Sequence, residues 1–134
     1  MTGKPQGAQW ASNYIVCADL EACAKTYEEA FGFELRSSEK DGEGKLAHTE
    51  WGHKDAVIFM AGTEQRGEKA PSSLGIERMP VTFYIYVEDL DAQFEKVRGA
   101  GVKVDGEPQD MPWGDRAFTA TCPSGYAWMF AEKA

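Results

Sequence analysis

The chain has 134 residues, 43% hydrophobic and 27% charged, the balance of an ordinary globular protein with enough material for a real core. Its net charge of −8, with no basic stripe, argues against nucleic acid and acidic membranes as partners. No apolar run approaches the span of a bilayer, and residues 1–9 are too polar for a signal peptide.

Residues 1–8 read as a loose tail. Alternation with aromatic and β-branched residues predicts a strand over 11–17. Asp19 stands where a helix N-cap belongs, and Leu20, Cys23, Ala24, Tyr27 and Phe31 follow at helical spacing up to the terminator Gly32. Strands are expected over 33–39, 45–51 and 56–61, separated by the turn sequences Asp41-Gly42-Glu43-Gly44 and Gly52-His53-Lys54-Asp55. Residues 63–79 form a long polar connection, open to two readings, a lid or a disordered connector. A second strand–helix pair follows, with the strand over 81–87 and the cap at Asp89. Its helix carries Leu90, Phe94, Val97 and Ala100 on one face and ends at Gly101. Strands over 102–105, 116–121 and 126–131 close the chain, the last two joined by Pro123-Ser124-Gly125. The three cysteines, Cys17, Cys23 and Cys122, have no CxxC spacing and fit reduced thiols in a cytoplasm.

The two halves repeat. Ser12-Asn13-Tyr14-Ile15 returns as Thr82-Phe83-Tyr84-Ile85, and Asp19-Leu20-Glu21-Ala22 as Asp89-Leu90-Asp91-Ala92, at an offset of 70. Carried on, that offset aligns Ala47 with Ala117, Thr49 with Thr119 and Ala61 with Ala131. About ten of fifty pairs are identical, well above chance, so an internal duplication governs the fold. Each copy reads β-α-β-β-β. The expected class is α+β: one domain over 1–134, with module one at about 9–62, the connection at 63–79 and module two at about 80–134.

Val87-Glu88-Asp89-Leu90-Asp91-Ala92, Gly101-Val102, Pro112-Trp113-Gly114-Asp115-Arg116 and Pro123-Ser124-Gly125-Tyr126 together resemble the vicinal oxygen chelate superfamily, the glyoxalase, bleomycin-resistance and dioxygenase group. Cys122 stands where the family usually has aspartate before the proline. The resemblance implies that the modules pair into a curved mixed sheet enclosing a cup, often in a homodimer. It also implies that metal-using members would place ligands at Ser12, Phe59, Thr82 and Met129. Two hydroxyls, a benzyl ring and a thioether are poor donors for a catalytic divalent ion, so no metal and no cofactor are expected.

Strand alternation assigns Tyr14, Tyr84 and Tyr86 to the cup with Ser12 and Thr82, while Ile15, Cys17, Phe83, Ile85 and Val87 face the helices. The ligand positions add Phe59 and Met129 to the cup and place Ile58 and Trp128 opposite. That lining is apolar and aromatic with a few hydroxyls, as small-molecule sites are built; the same residues could equally fill the space as core. Trp113 and Arg116 are candidates at the mouth, Arg116 as an anion clamp or, alternatively, as a residue stacked at a strand entry beside a paired Asp115. His48 and Glu50 share one strand face and suit acid–base or metal chemistry, or an exposed edge; His53 reads as a solvated turn residue. The favoured function is a metal-independent protein that sequesters an apolar or aromatic small molecule. The alternative is a glyoxalase-like lyase or dioxygenase-related enzyme using His48 and Glu50, with or without a metal, and with Arg116 as a further catalytic candidate.

Overall fold

The structure, a computed structural model, describes residues 3–134. Module one runs β1 (Ala8–Cys17), α1 (Leu20–Lys25) continued by a π-helical turn (Thr26–Ala30), β2 (Glu34–Lys40), β3 (Leu46–His53) and β4 (Ala56–Thr63). Module two runs β5 (Thr82–Tyr86), α2 (Leu90–Gly99), β6 (Lys103–Val104), β7 (Gln109–Asp110), β8 (Asp115–Thr121) and β9 (Ala127–Lys133). The sheet orders are β1-β4-β3-β2 and β5-β9-β8-β6, with β7 also on β8; β1–β4 and β5–β9 are parallel and the other pairs antiparallel. The α+β class and the twice-used β-α-β-β-β unit are as expected. The sheets are curved and do not close.

Both helices start where the aspartates predict. Asp19 accepts from the Ala22 N–H and Asp89 from the Ala92 N–H, each at 3.1 Å, relieving one orphan donor per helix. Leu20, Cys23, Tyr27, Ala30 and Phe31 bury one face of the first helical segment, and Leu90, Phe94 and Val97 that of α2. These faces meet the helix-side residues of both sheets in a single aromatic cluster. Within it Trp128 stacks on Phe83 at 4.3 Å between centroids and lies 4.8 Å from Phe59 and 5.3 Å from Tyr27.

The expected strand over 102–105 is shortened to β6, and a further short strand, β7, follows it. Gly106, at φ 157°, and Pro108 separate the two, since proline has no N–H for the ladder. The connection over 63–79 is pinned to the fold at its middle, around residues 70–72, while most of its other residues are exposed. Ala70 is fully buried, its N–H bonds the Glu64 carboxylate at 2.8 Å, and the Ser72 N–H bonds the Ser124 carbonyl at 3.0 Å. Gly125, at φ 93°, lets the β8–β9 turn approach Pro71 and Ser72; a Cβ there would press on both.

That turn also joins the modules. The Tyr126 hydroxyl donates to the Val16 carbonyl at 3.0 Å and accepts from the Val16 N–H at 3.1 Å, and the Ser124 hydroxyl accepts from the Ala18 N–H at 3.1 Å. The motif Pro123-Ser124-Gly125-Tyr126 therefore clamps the end of β1 as well as turning a hairpin.

The repeat offset changes partway through each module. Asn13 pairs with Phe59 on β4, while Phe83 pairs with Trp128 on β9. Tyr14 pairs with Met60, and Tyr84 with Met129. The first strands keep the offset of 70, but the last strands match at 69. The cause is the extra residue in the first helix. It is absorbed by the π turn, where the Phe31 N–H reaches the Thr26 carbonyl five residues back at 3.0 Å.

Candidate functional site

Each module covers one sheet face with its helix and leaves the other open. On the first sheet the open face carries Ser12 and Tyr14 from β1, Ile58 and Met60 from β4, and His48 and Glu50 from β3. Tyr14 lies flat over Gly62, where any Cβ would collide with its hydroxyl. That hydroxyl is 3.3 Å from His48 Nδ1, and His48 Nε2 is 3.3 Å from a Glu50 carboxylate oxygen. The Tyr14 and His48 rings stack at 5.6 Å, with the Arg66 guanidinium 6.0 Å from the phenol ring. Glu50 thus orients His48, and His48 reaches a phenol, the arrangement of a proton relay. The face is not an edge: β3 lies between β2 and β4.

On the second sheet, Thr82, Tyr84 and Tyr86 of β5 lie beside Ala127, Met129 and Ala131 of β9, with Asp115 on β8 beyond. Both phenols donate to one carboxylate oxygen of Asp115 at 2.7 Å, and the Trp113 indole N–H donates to the Tyr84 hydroxyl at 2.9 Å. These bonds hold the Asp115 carboxyl below its ordinary value and, with desolvation, raise Tyr84 and Tyr86. Asp115 is 7% exposed, whereas the rings of Tyr86 and Trp113 stand mostly in solvent. A cavity of about 440 Å³ runs along the seam between the modules, walled by Tyr84 and Tyr86 on one side and by Ile58 and His53 on the other. His53 is not a free turn residue. Its Nε2 lies 2.7 Å from the Tyr86 carbonyl and its ring meets Phe33 edge-on.

Two sequence-derived placements need correction. Phe59 is fully buried among Tyr27, Trp51, Phe83 and Trp128 on the helix side, and Ile58 faces the open side instead. The one-residue helix insertion exchanges the faces, because strand side chains alternate. Met60 is the true counterpart of Met129. Arg116 likewise points away from the open face: its guanidinium is 2.9 Å from Asp91 on α2 and 3.8 Å from Glu132. Its neighbour Asp115 takes the inward position. Met60, Gly62 and Asp115 as the acceptor of two phenols are the residues that sequence reasoning missed.

The family's four ligand positions, read in the observed register, become Ser12, Met60, Thr82 and Met129. Two hydroxyls and two thioethers do not fit a catalytic divalent cation. Among the described residues no group of three or more histidine, cysteine, aspartate or glutamate side chains is placed to hold a metal ion.

Two β-α-β-β-β modules with uncovered, aromatic-bearing sheet faces define the class of the vicinal oxygen chelate fold. Residues 9–130 match the family model of the Glyoxalase/Bleomycin resistance protein/Dioxygenase superfamily, and the chain belongs to that family. An uncharacterized protein of Mycobacterium bovis is 25% identical over 123 residues, covering 90% of this chain and 81% of its own. Among solved structures, TioX from Micromonospora sp. ML1 superposes with a TM-score of 0.71 at 21% identity, covering 94% of this chain and 97% of its own. TnmS3, an antibiotic binding protein from Streptomyces sp. CB03234, gives a TM-score of 0.66 at 21% identity over 100% of this chain and 99% of its own. No helix of the described residues is long and apolar enough to cross a membrane.

Proposed function

We propose that this is a cytoplasmic, metal-independent small-molecule binding protein that sequesters an apolar or aromatic ligand against its open sheet faces. The observation that carries this reading is the set of aromatic rings held outward by hydrogen bonds. Tyr84, Tyr86 and Trp113 are fixed through Asp115 beside a cavity large enough for a small ligand. Rings pre-oriented in this way stack on a planar ligand without first losing rotamer freedom. The likeness to an antibiotic binding protein supports the same class of ligand. Homodimerisation belongs to this reading. Residues 9–14 of β1 are exposed on both strand faces, with Trp10 at 80%, a surface that a second copy would cover. Ser12, Tyr14, Met60, Thr82 and Met129 then complete the lining.

Titration with acridone, a neutral planar tricycle, followed by tryptophan fluorescence and calorimetry tests the reading. Saturable quenching that weakens in Trp113→Phe is expected. A flat response to acridone and to its charged analogues would sink it.

A second reading is favoured by one observation, the linked Tyr14, His48 and Glu50: an enzyme performing acid–base chemistry on the first open face. Turnover of a methylglyoxal–glutathione hemithioacetal that is lost in both His48→Ala and Glu50→Ala would establish it. Turnover retained in both variants would remove these residues from any catalytic role.

A further inference from the structure

On the open face of the second sheet, Asp115 is a nearly buried carboxylate outside any direct ion pair. Among the described residues no ion pair reaches it. Lys133, its cross-strand partner, acts on it only through space. A charge withdrawn from water is costly unless it is compensated, and here the compensation is two phenol O–H groups. Those bonds fix the polarity of what remains exposed. Tyr84 and Tyr86 have committed their protons to Asp115, so their oxygens face outward only as acceptors, and that of Tyr84 already accepts from Trp113. The exposed rings of Tyr86 and Trp113 add negative quadrupole potential; Tyr84 meets Tyr86 edge-on at 5.4 Å and lies tilted to Trp113 at 6.4 Å between centroids. Acceptor oxygen, carboxylate and aromatic rings lie together on one surface, and the protons of Tyr84, Tyr86 and Trp113 are already committed within the cluster, leaving none to offer an anion.

We propose that Tyr84, Tyr86, Trp113 and Asp115 form a cation-selective subsite, so that the ligand is a planar ring system bearing an organic ammonium or protonated ring nitrogen. This rests on the small-molecule binding reading and narrows it. The ring system stacks on the exposed Tyr86 ring while the cationic N–H is received by the Tyr86 oxygen and sensed by Asp115. The net charge of −8 draws such a ligand to the surface and repels an anionic one.

Three tricycles of matched shape separate the possibilities: 9-aminoacridine as cation, acridone as neutral ring and 9-anthracenecarboxylate as anion. At neutral pH and low salt the cation should bind about tenfold or more tighter than acridone, and the anion more weakly than either. Asp115→Asn should abolish the preference, so that cation and acridone, measured on the same variant, bind with similar affinity whatever the change in acridone binding itself. Tyr86→Phe keeps the ring and removes the acceptor, so it should lower the preference partially; it serves as the second variant if Asp115→Asn does not fold. Acridone binding with no preference for the cation would overturn this inference and leave the binding reading standing. A cation preference that survives both folded variants would overturn it too. Failure of all three probes to bind would overturn both.

Discussion

The Tyr126 hydroxyl stands in for a missing β-ladder partner, satisfying both the N–H and the C=O of Val16 inside the core. Removing it leaves two backbone groups without partners and opens no cavity. Tyr126→Phe should therefore destabilise the protein by about 1–3 kcal/mol in urea unfolding, the cost of orphaned buried polar groups. A loss within experimental error would show that water replaces the hydroxyl. Asp115 makes a different kind of prediction. Its folded pKa lies below the ordinary 3.8 because the folded state binds the anion through two phenols. Such a group contributes stability that is fully present above the unfolded value and is lost as pH falls through the folded one. Asp115→Asn should flatten the fall in stability below about pH 4 while leaving the neutral-pH slope unchanged. An unchanged acid limb in denaturation at several pH values would remove Asp115 from the account. In the sequence, Asp115 was visible only as a paired strand-entry residue. Its true partners lie two strands away on β5, and register across a sheet is not written in local spacing.

At the scale of elements, the π turn decides which way β4 faces. Strand–helix order, both caps and the helical faces were legible because each rests on local periodicity and a capping aspartate. The faces of β4 were not, because identities such as Ala47/Ala117 and Thr49/Thr119 kept the offset of 70 plausible. Thr49 is in fact fully buried, bonding the Ala61 carbonyl and the Trp51 indole, whereas Thr119 lies on the open face beside Met129. A signal was present in the distances between cap and terminator, 13 residues from Asp19 to Gly32 and 12 from Asp89 to Gly101. Two consequences are measurable. Phe59→Ala should cost about 3–5 kcal/mol as a core truncation, while Met129→Ala, on the open face, should cost distinctly less; comparable losses would contradict the assigned faces. Deleting the exposed Glu29 should relax the π turn to an α turn and leave the fold intact. Deleting the exposed Glu95 from α2, which has no such reserve, would rotate the remainder of that helix by about 100° and strand Val97 away from the core. Circular dichroism of the two deletion variants decides: a folded Glu95 deletion with an unfolded Glu29 deletion would refute the insertion argument.

At the largest scale, the decisive fact is that among the described residues no strand of one sheet pairs with a strand of the other. The modules are joined by side chains: the aromatic cluster around Trp128, the Tyr126 and Ser124 clamp, and the bonds of the module-one hairpin to β5 and the loop beyond, including Lys54 to Glu88 at 3.0 Å. Phe59, Tyr27 and Phe31 of the first module each touch Trp128 of the second, so separating the modules would expose large aromatic surface on both. Neither half has another core to fall back on, since the helix of each module is spent on this shared cluster. Unfolding should accordingly be a single transition, with tryptophan fluorescence and far-ultraviolet circular dichroism tracing the same urea curve. Fragments 1–79 and 80–134, produced separately, should each lack cooperative unfolding. Two separated transitions, or a fragment that melts cooperatively alone, would mean that the duplicated unit carries its own stability and that the shared aromatic core is an interface rather than the source of the fold.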